Sequence, residues 1–312
     1  MRLPKLPAKA AYLLLDNASK RNALSVEVLK SLRQQLIQYN TPRGETKPLL
    51  LPPPNPILLK EIPKSCNKKA TGKSDDYRWL VDADEWQRRR GGLPKVLVLR
   101  SEGPVFSAGH DLKEIDQMDA AGVEETFALC VDLMSLLCRS PIPVVGVIQG
   151  LATAAGAQLA LTTDLPVACA SAQFQLPGMS IGLPCTSPST ALSRKLGNAF
   201  TYRMFALAEP VRADQLPAGA VETVLDEAAL EARVAEIIEK LVSRYSAQAQ
   251  AMGKWAYWTQ ASLDRPSRSS PYDSYPTAAK WAAGAMAIHA STRDAKEGRK
   301  AFIAKRAPVW VT

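Results

Sequence analysis

Apolar residues along the chain follow two kinds of pattern. Short apolar runs bounded by turn residues predict buried strands, and apolar residues recurring every three or four positions predict helices with one buried face. The strands predicted in this way cover residues 11–15, 95–100, 144–148 and 165–170. One helix begins after Ser25, a residue favoured at helix N-caps, and another covers residues 124–139. Strands therefore alternate with helices over most of the chain.

The pattern changes at residue 226, after which it is helical throughout. The last helix is predicted to start at the capping sequence formed by Ser291 and Asp294 and to end before Pro308. Alternating strands and helices followed by helices alone favour an α/β fold. We expect a core domain over residues 1–225 and a C-terminal helical subdomain over residues 226–312.

Residues 40–92 do not fit this scheme. The segment opens with a proline-rich run and then becomes polar and charged, without a lasting amphipathic period. Long connections without regular structure are uncommon inside compact domains. We therefore predict a mostly disordered insertion. A functional lid, a docking segment, or a stretch absent from the mature protein are the alternatives.

Composition narrows the class of protein. Of the 312 residues, 46% are hydrophobic and 22% are charged, which is typical of a globular chain. Five cysteines without a C-x-x-C pair favour a reducing compartment, and two distant histidines do not suggest a metal site. The net charge of +9 comes mostly from scattered residues. Solvated surface charge is the main interpretation, ahead of attraction for phosphate or coenzyme A groups, and nucleic acid comes last.

An uncharged stretch over residues 140–163 is long enough to span a bilayer. Its prolines, glycines, glutamines and threonines instead favour a buried strand, a loop and a helix start, so no membrane span is predicted. The first fifteen residues carry three basic residues and no acidic one, a composition that weakly resembles a transit segment. They lack a convincing cleavage signal.

Two segments carry candidate chemistry. Residues 105–112 follow a strand and a Gly-Pro turn, and residues 147–160 lead from a strand through small residues into a helix. Small residues let the main chain approach a ligand closely, and the first turn of a helix has free N–H groups. One such donor from each segment would form an oxyanion hole for a thioester oxygen. Tight packing is the alternative for either segment alone.

The chain resembles the enoyl-CoA hydratase/isomerase (crotonase) superfamily over nearly its whole length outside the insertion. The similarity rests on residues 20–25 (KRNALS), 106–112 (FSAGHDL), 149–160, 174–184 and 294–310. The histidine after Ser-Ala-Gly, the AAGAQ run and the closing Pro-Val-Trp are most similar to one mitochondrial branch. The resemblance implies a spiral of ββα units and a mitochondrial location. It also implies that the C-terminal helical subdomain, residues 226–312, serves in oligomerisation and builds trimers or dimers of trimers.

The same resemblance implies roles for individual residues. The main-chain amides of Ala108 and Ala155 would bind the thioester oxygen. The other residues implied to contact the acyl-CoA ligand are Gly109, His110, Asp111, Lys20, Asn22 and Ala23, with Phe302 and Lys305 covering the coenzyme A of an adjacent subunit. No other cofactor and no metal is implied.

The sequence departs from the family where hydratases place two catalytic glutamates. Those positions hold Gln158 and Gly178, and neither can exchange a proton near neutral pH. One positioned acid or base contributes about 10²–10⁴-fold, so the usual hydration route is disfavoured. His110 is a weak candidate for a substitute base, and a structural role is the alternative. For three further residues the structural interpretations are preferred: a helix cap at Asp111, a buried hydrogen bond at Asp164 and a neutral thiol at Cys185.

We therefore expect an acyl-CoA-binding protein of mitochondrial lipid metabolism. As an enzyme it would use an enolate-like state in isomerisation, thioester hydrolysis or slow hydration. A non-catalytic acyl-CoA sensor or partner-binding subunit is the first alternative, and an RNA-binding protein is the second.

Overall fold

The structure is a computed structural model that describes residues 3–62, 73–263 and 292–312, together with residues 284, 288 and 290. The chain divides into two compact units. The first contains Met1–Tyr39, Pro94–Cys138 and Pro143–Val242, and the second contains Asn40–Leu93, Arg139–Ile142 and Ser243–Thr312. This division differs from the predicted boundary at residue 225. No described helix has the length and apolar character needed to cross a membrane.

All strands among the described residues lie in the first unit. In chain order they are β1 (Ala10–Leu15), β2 (Val96–Ser101), β3 (Val105–Ser107), β4 (Val144–Ile148), β5 (Leu151–Thr153), β6 (Leu165–Cys169), β7 (Gln173–Gln175), β8 (Val211–Arg212) and β9 (Glu222–Val224). The four strands predicted from apolar runs are therefore confirmed. Strands β3, β5 and β7 have three residues each, too few for a period to be recognised.

The α-helices within the described ranges are α1 (Val26–Asn40), α2 (Ala83–Arg90), α3 (Leu112–Asp116), α4 (Ala120–Arg139), α5 (Ala155–Thr162), α6 (Thr186–Leu196), α7 (Asn198–Leu207), α8 (Glu227–Glu239), α9 (Ala247–Leu263) and α10 (Arg293–Ile303). In the described part of the chain, short 3-10 helices cover Ala18–Lys20, Pro56–Lys60, Lys73–Leu80, Pro177–Ile181 and Ala213–Gln215. A π-helical turn, Lys240–Arg244, follows α8. The predicted N-cap of α1 is confirmed, since the Ser25 hydroxyl accepts a hydrogen bond from the Val28 amide at 3.3 Å.

The strands form two sheets that the chain visits in turn. The first sheet has the order β1-β2-β4-β6-β9 and is parallel throughout. The second has the order β3-β5-β7-β8, with only β8 antiparallel. Each pair β2–β3, β4–β5 and β6–β7 places one strand in each sheet and leads into helices. This repetition confirms the ββα spiral.

The first sheet packs against α8. Alternate residues of β2, β4 and β6 point to one face, because side chains along a strand alternate between faces. These residues form one buried cluster with the apolar side of α8: Val96, Val98, Val145, Val147, Val167, Cys169, Leu230, Val234, Ile237, Ile238 and Leu241. Helix α8 therefore belongs to the core unit, which explains why that unit extends to Val242.

The predicted disorder of residues 40–92 is wrong for the part that the structure describes. Trp79 and Trp86 are buried in a cluster with Leu49, Ile62 and Trp255 of α9. The buried guanidinium of Arg90 lies 5.7 and 5.4 Å from the centroids of the two indole rings of Trp79 and Trp86. Sequence periodicity missed this cluster because its apolar residues within 40–92 come from extended segments, 3-10 turns and the short helix α2. Residues 63–72 lie outside the described part.

Candidate active site

Three loops meet at one edge of the second sheet. Strands β3, β5 and β7 are adjacent and parallel, so their carboxyl ends lie at the same edge. The loop with Gly109 follows β3, Ala154 follows β5, and Gly178 follows β7. The amide of Ala154 donates a hydrogen bond to the carbonyl of Gln175 at 2.9 Å, which links the last two loops. The two sequence segments with candidate chemistry are thus brought together.

Gly109 allows the first two loops to touch. Its φ of +79° lies in the left-handed region, which favours glycine. A Cβ atom at this position would lie 2.9 Å from the Thr153 carbonyl oxygen, 3.1 Å from the Ala154 Cβ and 3.4 Å from the Ala155 nitrogen. The close main-chain approach that the small residues predict is therefore present.

The structure corrects the expected pair of oxyanion donors. The amide of Ala108 donates to the carbonyl of Arg21 at 3.0 Å, so its single hydrogen is already engaged. The next amide with no acceptor among the described residues is that of His110. Ala155 opens α5, which has no side-chain cap, and its amide likewise has no acceptor in the described part of the chain. The free donors are therefore His110 and Ala155.

The side chain of His110 contacts protein groups. Its Nδ1 lies 3.4 Å from the Leu24 carbonyl oxygen, and its ring meets Phe127 edge-on with centroids 5.1 Å apart. Burial lowers the pKa of His110 below its ordinary value, with a smaller opposing effect of the Leu24 hydrogen bond. The ring is engaged by the Leu24 carbonyl and by Phe127, which favours the structural interpretation over a catalytic base.

Asp111 and Lys20 form an ion pair beside the first loop. The Lys20 Nζ lies 3.1 Å from Asp111 Oδ2, and the hydrogen bond from Lys20 holds the pKa of Asp111 below its ordinary value. The other carboxylate oxygen of Asp111 accepts hydrogen bonds from the amides of Lys113 and Glu114 at the start of α3. The predicted helix cap is confirmed.

Asn22 holds the early loop in place. Its buried side chain donates to the carbonyl oxygens of Glu102 and Val105 at 2.7 and 2.8 Å. The carbonyl of the neighbouring Ala23 accepts a hydrogen bond from Asn17 Nδ2 at 2.9 Å. These contacts fix the loop against β3. A contact of Asn22 or Ala23 with coenzyme A stays a prediction.

Gln158 lies one helical turn after Ala155 and is buried. Its Nε2 is 3.2 Å from the hydroxyl of Ser187, in the first turn of α6. The first glutamate position thus holds a neutral amide paired with a hydroxyl. Sequence reasoning missed Ser187, because nothing in its local pattern links it to Gln158.

The second glutamate position has no room for a side chain. A Cβ atom on Gly178 would collide with the Leu183 carbonyl oxygen and lie 2.9 Å from both the amide nitrogen and the sulfur of Cys185. The Gly178 amide donates to this sulfur at 3.3 Å, and burial raises the pKa of the Cys185 thiol. These observations support the neutral thiol predicted for Cys185.

The remaining predicted residues lie elsewhere. Asp164 Oδ2 accepts a hydrogen bond from the Val144 amide at 2.8 Å, as the structural interpretation predicts. Lys305 is exposed just after α10 in the second unit, and the side chain of Phe302 lies outside the described residues. Within the described ranges, no group of three potential metal-binding side chains occurs.

Comparison with known proteins decides the family. Residues 93–312 match the enoyl-CoA hydratase/isomerase family. The chain belongs to this family. Enoyl-CoA hydratase domain-containing protein 3, mitochondrial, from Mus musculus is 32% identical over 302 residues, covering 96% of this chain and 80% of that protein. The Homo sapiens protein of the same name is 30% identical over 300 residues, covering 96% of this chain and 79% of that protein.

Solved structures of family members agree with the fold. The crystal structure of human enoyl coenzyme A hydratase domain-containing protein 3 has a TM-score of 0.73 at 30% identity and covers 97% of this chain and 98% of that chain. An enoyl-CoA hydratase from Mycobacterium smegmatis has a TM-score of 0.71 at 28% identity, with 99% and 98% covered. The family resemblance and the fold inferred from the sequence motifs are confirmed.

Proposed function

We propose that this member of the enoyl-CoA hydratase/isomerase family binds acyl-CoA thioesters and acts in lipid metabolism. The thioester carbonyl oxygen accepts hydrogen bonds from the main-chain amides of His110 and Ala155. Family membership supports this assignment, and so does the close approach of the two loops at Gly109. Fixed amides at a helix start stabilise the negative charge that develops on this oxygen in an enolate-like state.

The site binds the thioester but lacks the two acid–base groups of a hydratase. The observation that carries this conclusion is that the Leu183 carbonyl and the Cys185 thiol fill the space a side chain at position 178 needs. Gln158 provides hydrogen bonds and cannot accept a proton as a base. Any chemistry at this site therefore proceeds through the polarised thioester with atypical proton donors, as isomerisation, thioester hydrolysis or slow hydration.

The same observation favours a second candidate, a non-catalytic acyl-CoA sensor or partner-binding protein. Two measurements on the full chain test both candidates. Isothermal titration compares crotonoyl-CoA with free coenzyme A, and absorbance at the enoyl thioester band follows crotonoyl-CoA hydration beside a two-glutamate hydratase. We expect tighter binding of the thioester and a hydration rate lower by about 10⁴-fold, because two acid–base groups are missing.

Each outcome decides a part of the proposal. Hydration within tenfold of the reference enzyme would overturn the loss of acid–base function and the sensor candidate. Failure to bind crotonoyl-CoA would overturn both candidates. Turnover of any acyl-CoA ester, followed by mass spectrometry over a panel of esters, would select the enzyme over the sensor. Nucleic-acid binding predicts an affinity that falls steeply with salt, and a flat filter-binding curve excludes it.

The cellular location and the assembly also belong to this proposal. The curated relatives from Mus musculus and Homo sapiens carry the word mitochondrial in their names, which supports a mitochondrial location. A homotrimer or a dimer of trimers rests on family resemblance, as do coenzyme A contacts for Lys20, Phe302 and Lys305. Sedimentation analysis of the full chain tests the assembly.

A further inference from the structure

The amide of His110 is oriented by the peptide group that it shares with Gly109. The Gly109 carbonyl accepts a hydrogen bond from the Leu24 amide at 2.8 Å. Because the C=O and N–H of a trans peptide point in opposite directions, this bond directs the His110 N–H away from Leu24. Just before it, the Arg21 carbonyl accepts a hydrogen bond from the Ala108 amide at 3.0 Å. Arg21 and Leu24 therefore decide which amide of the loop is free and where it points.

Asn22 fixes the early turn, residues 17–24, that carries these two groups. Its Nδ2 donates to the carbonyl oxygens of Glu102 and Val105 at 2.7 and 2.8 Å, and its Oδ1 accepts a hydrogen bond from the Asn17 amide at 3.2 Å. The residue is 1% exposed. A carboxamide has two N–H hydrogens, and both are used here within the protein. The Asn22 side chain therefore joins the early turn to β3 and keeps no amide hydrogen for a ligand.

The early turn has a main-chain conformation that needs such support. Arg21 and Asn22 have φ angles of +53° and +54°, in the left-handed region that non-glycine residues adopt rarely. A strained main chain persists only where its surroundings hold it. The Ser107 hydroxyl adds to this support, since it donates to the Asn22 carbonyl at 2.8 Å and accepts a hydrogen bond from the Gly109 amide at 3.3 Å. The early turn and the first oxyanion loop therefore hold each other in position.

We propose that Asn22 is a positioning residue of the oxyanion hole. It holds the main-chain groups of Arg21 and Leu24 in the places from which they occupy the Ala108 amide and orient that of His110. This inference rests on the proposed function, because it assumes that the thioester oxygen accepts a hydrogen bond from the His110 amide. Fixed donors stabilise a developing charge only when they are aimed at it. Loss of the Asn22 amide hydrogens therefore weakens the polarisation of the thioester without removing a group that contacts it.

The absorbance of 2,4-hexadienoyl-CoA bound to the full chain tests this role. Hydrogen bonds to the thioester oxygen polarise the conjugated acyl group, so its absorbance band moves to longer wavelength. The shift is measured at saturating ligand, where it reports the geometry of the bound thioester and not the affinity, and mass spectrometry verifies that the ligand is intact. We expect Asn22→Asp to reduce the shift to less than half, because this variant keeps the shape of residue 22 and replaces the NH₂ group by oxygen.

Asn40→Asp is the matched control. Asn40 is also 1% exposed, and its Nδ2 donates to the Ser140 hydroxyl at 3.2 Å within the second unit. We expect both variants to lose stability in urea unfolding, because each places a carboxyl group where a buried amide donates. Asn40→Asp should nevertheless keep the full shift. An equal reduction of the shift in both variants would mean that it follows stability alone, and would overturn the role of Asn22.

The outcomes separate this inference from the proposed function. If the unaltered chain does not bind the ligand, or binds it without a shift, the proposed function fails and the inference fails with it. If the unaltered chain and Asn22→Asp show the same shift, only the inference fails. Ser107→Ala is the second variant should Asn22→Asp not fold, because it removes the hydroxyl that joins the early turn to the loop. We expect it to reduce the shift by at least a third, and an unchanged shift would overturn the inference.

Discussion

The sulfur of Cys185 lies 2.9 Å from the point where a Cβ atom on Gly178 would stand. Position 178, where hydratases place their second glutamate, therefore lacks both the carboxylate and the space for a side chain. The loop from Gly178 to Cys185 folds into the space that a side chain would need, and the thiol accepts the Gly178 amide. The close approach of the two loops at Gly109 is present in the same structure. The proposed function therefore assigns thioester binding to main-chain amides, separate from acid–base chemistry.

The first prediction concerns Gly178. Gly178→Glu is expected not to restore crotonoyl-CoA hydration, and Gly178→Ala is expected to lower the free energy of unfolding by about 1–3 kcal/mol, because the added Cβ collides with main-chain atoms. Urea unfolding and the hydration assay measure the two effects. As a control, Gly253→Ala in α9, where a Cβ meets nothing within 4 Å, should stabilise by about 0.5–1 kcal/mol. A folded and active Gly178→Glu enzyme would contradict the prediction.

The second prediction concerns the approach of the two oxyanion loops. Gly109→Ala places a Cβ 2.9 Å from the Thr153 carbonyl oxygen and displaces the Ala155 amide, so we expect acyl-CoA affinity to fall at least tenfold. Gly219→Ala is the matched control, since Gly219 has a similar φ of +82° and no atom within 4 Å of its Cβ position. Both variants carry the same backbone strain of about 1–2 kcal/mol. Equal affinities measured by titration calorimetry would refute the role of Gly109.

The third prediction is a pH dependence of stability through His110. Burial lowers the pKa of His110 in the folded chain, so below its ordinary value of 6.5 the unfolded chain binds a proton that the folded chain does not. The free energy of unfolding therefore falls as the pH drops from 6.5 towards the folded pKa, by at most about 1.4 kcal/mol per pH unit. Urea unfolding between pH 5 and 8 should show a flatter profile for His110→Gln. Parallel profiles for the two proteins would show that His110 is not the group responsible.

The fourth prediction tests the buried cluster of the second unit. Trp255 is 2% exposed and its Nε1 donates to the Pro53 carbonyl at 3.3 Å, whereas Trp258 on the same helix is 38% exposed. Trp255→Ala is expected to lower the free energy of unfolding by about 3–5 kcal/mol, because it leaves a cavity in the core. Trp258→Ala should cost about 1 kcal/mol or less. Similar effects of the two substitutions in urea unfolding would mean that residues 40–62 do not pack as the structure shows.

The local sequence pattern was sufficient to predict the elements that are long enough to show an apolar run or several helical turns. Strands β1, β2, β4 and β6 of the first sheet and helices α1, α4 and α8 follow from apolar runs and 3.6-residue periods. The short strands β3, β5 and β7 and the packed segment around Trp79 have no such period. The sequence prediction of disorder for residues 40–92 was wrong for the part that the structure describes. Their order depends on contacts with residues distant along the chain.

The sequence by itself determined the family, the spiral fold and the absence of carboxylates at positions 158 and 178, because residue types and small-residue spacings are local properties. Only the tertiary structure decided which amides are free and which spaces are filled. The Ala108 amide donates its hydrogen bond to the Arg21 carbonyl. The space beside Gly178 is filled by Leu183 and Cys185. A hydrogen-bond partner and a filled volume depend on where distant parts of the chain come together, and no local spacing encodes that.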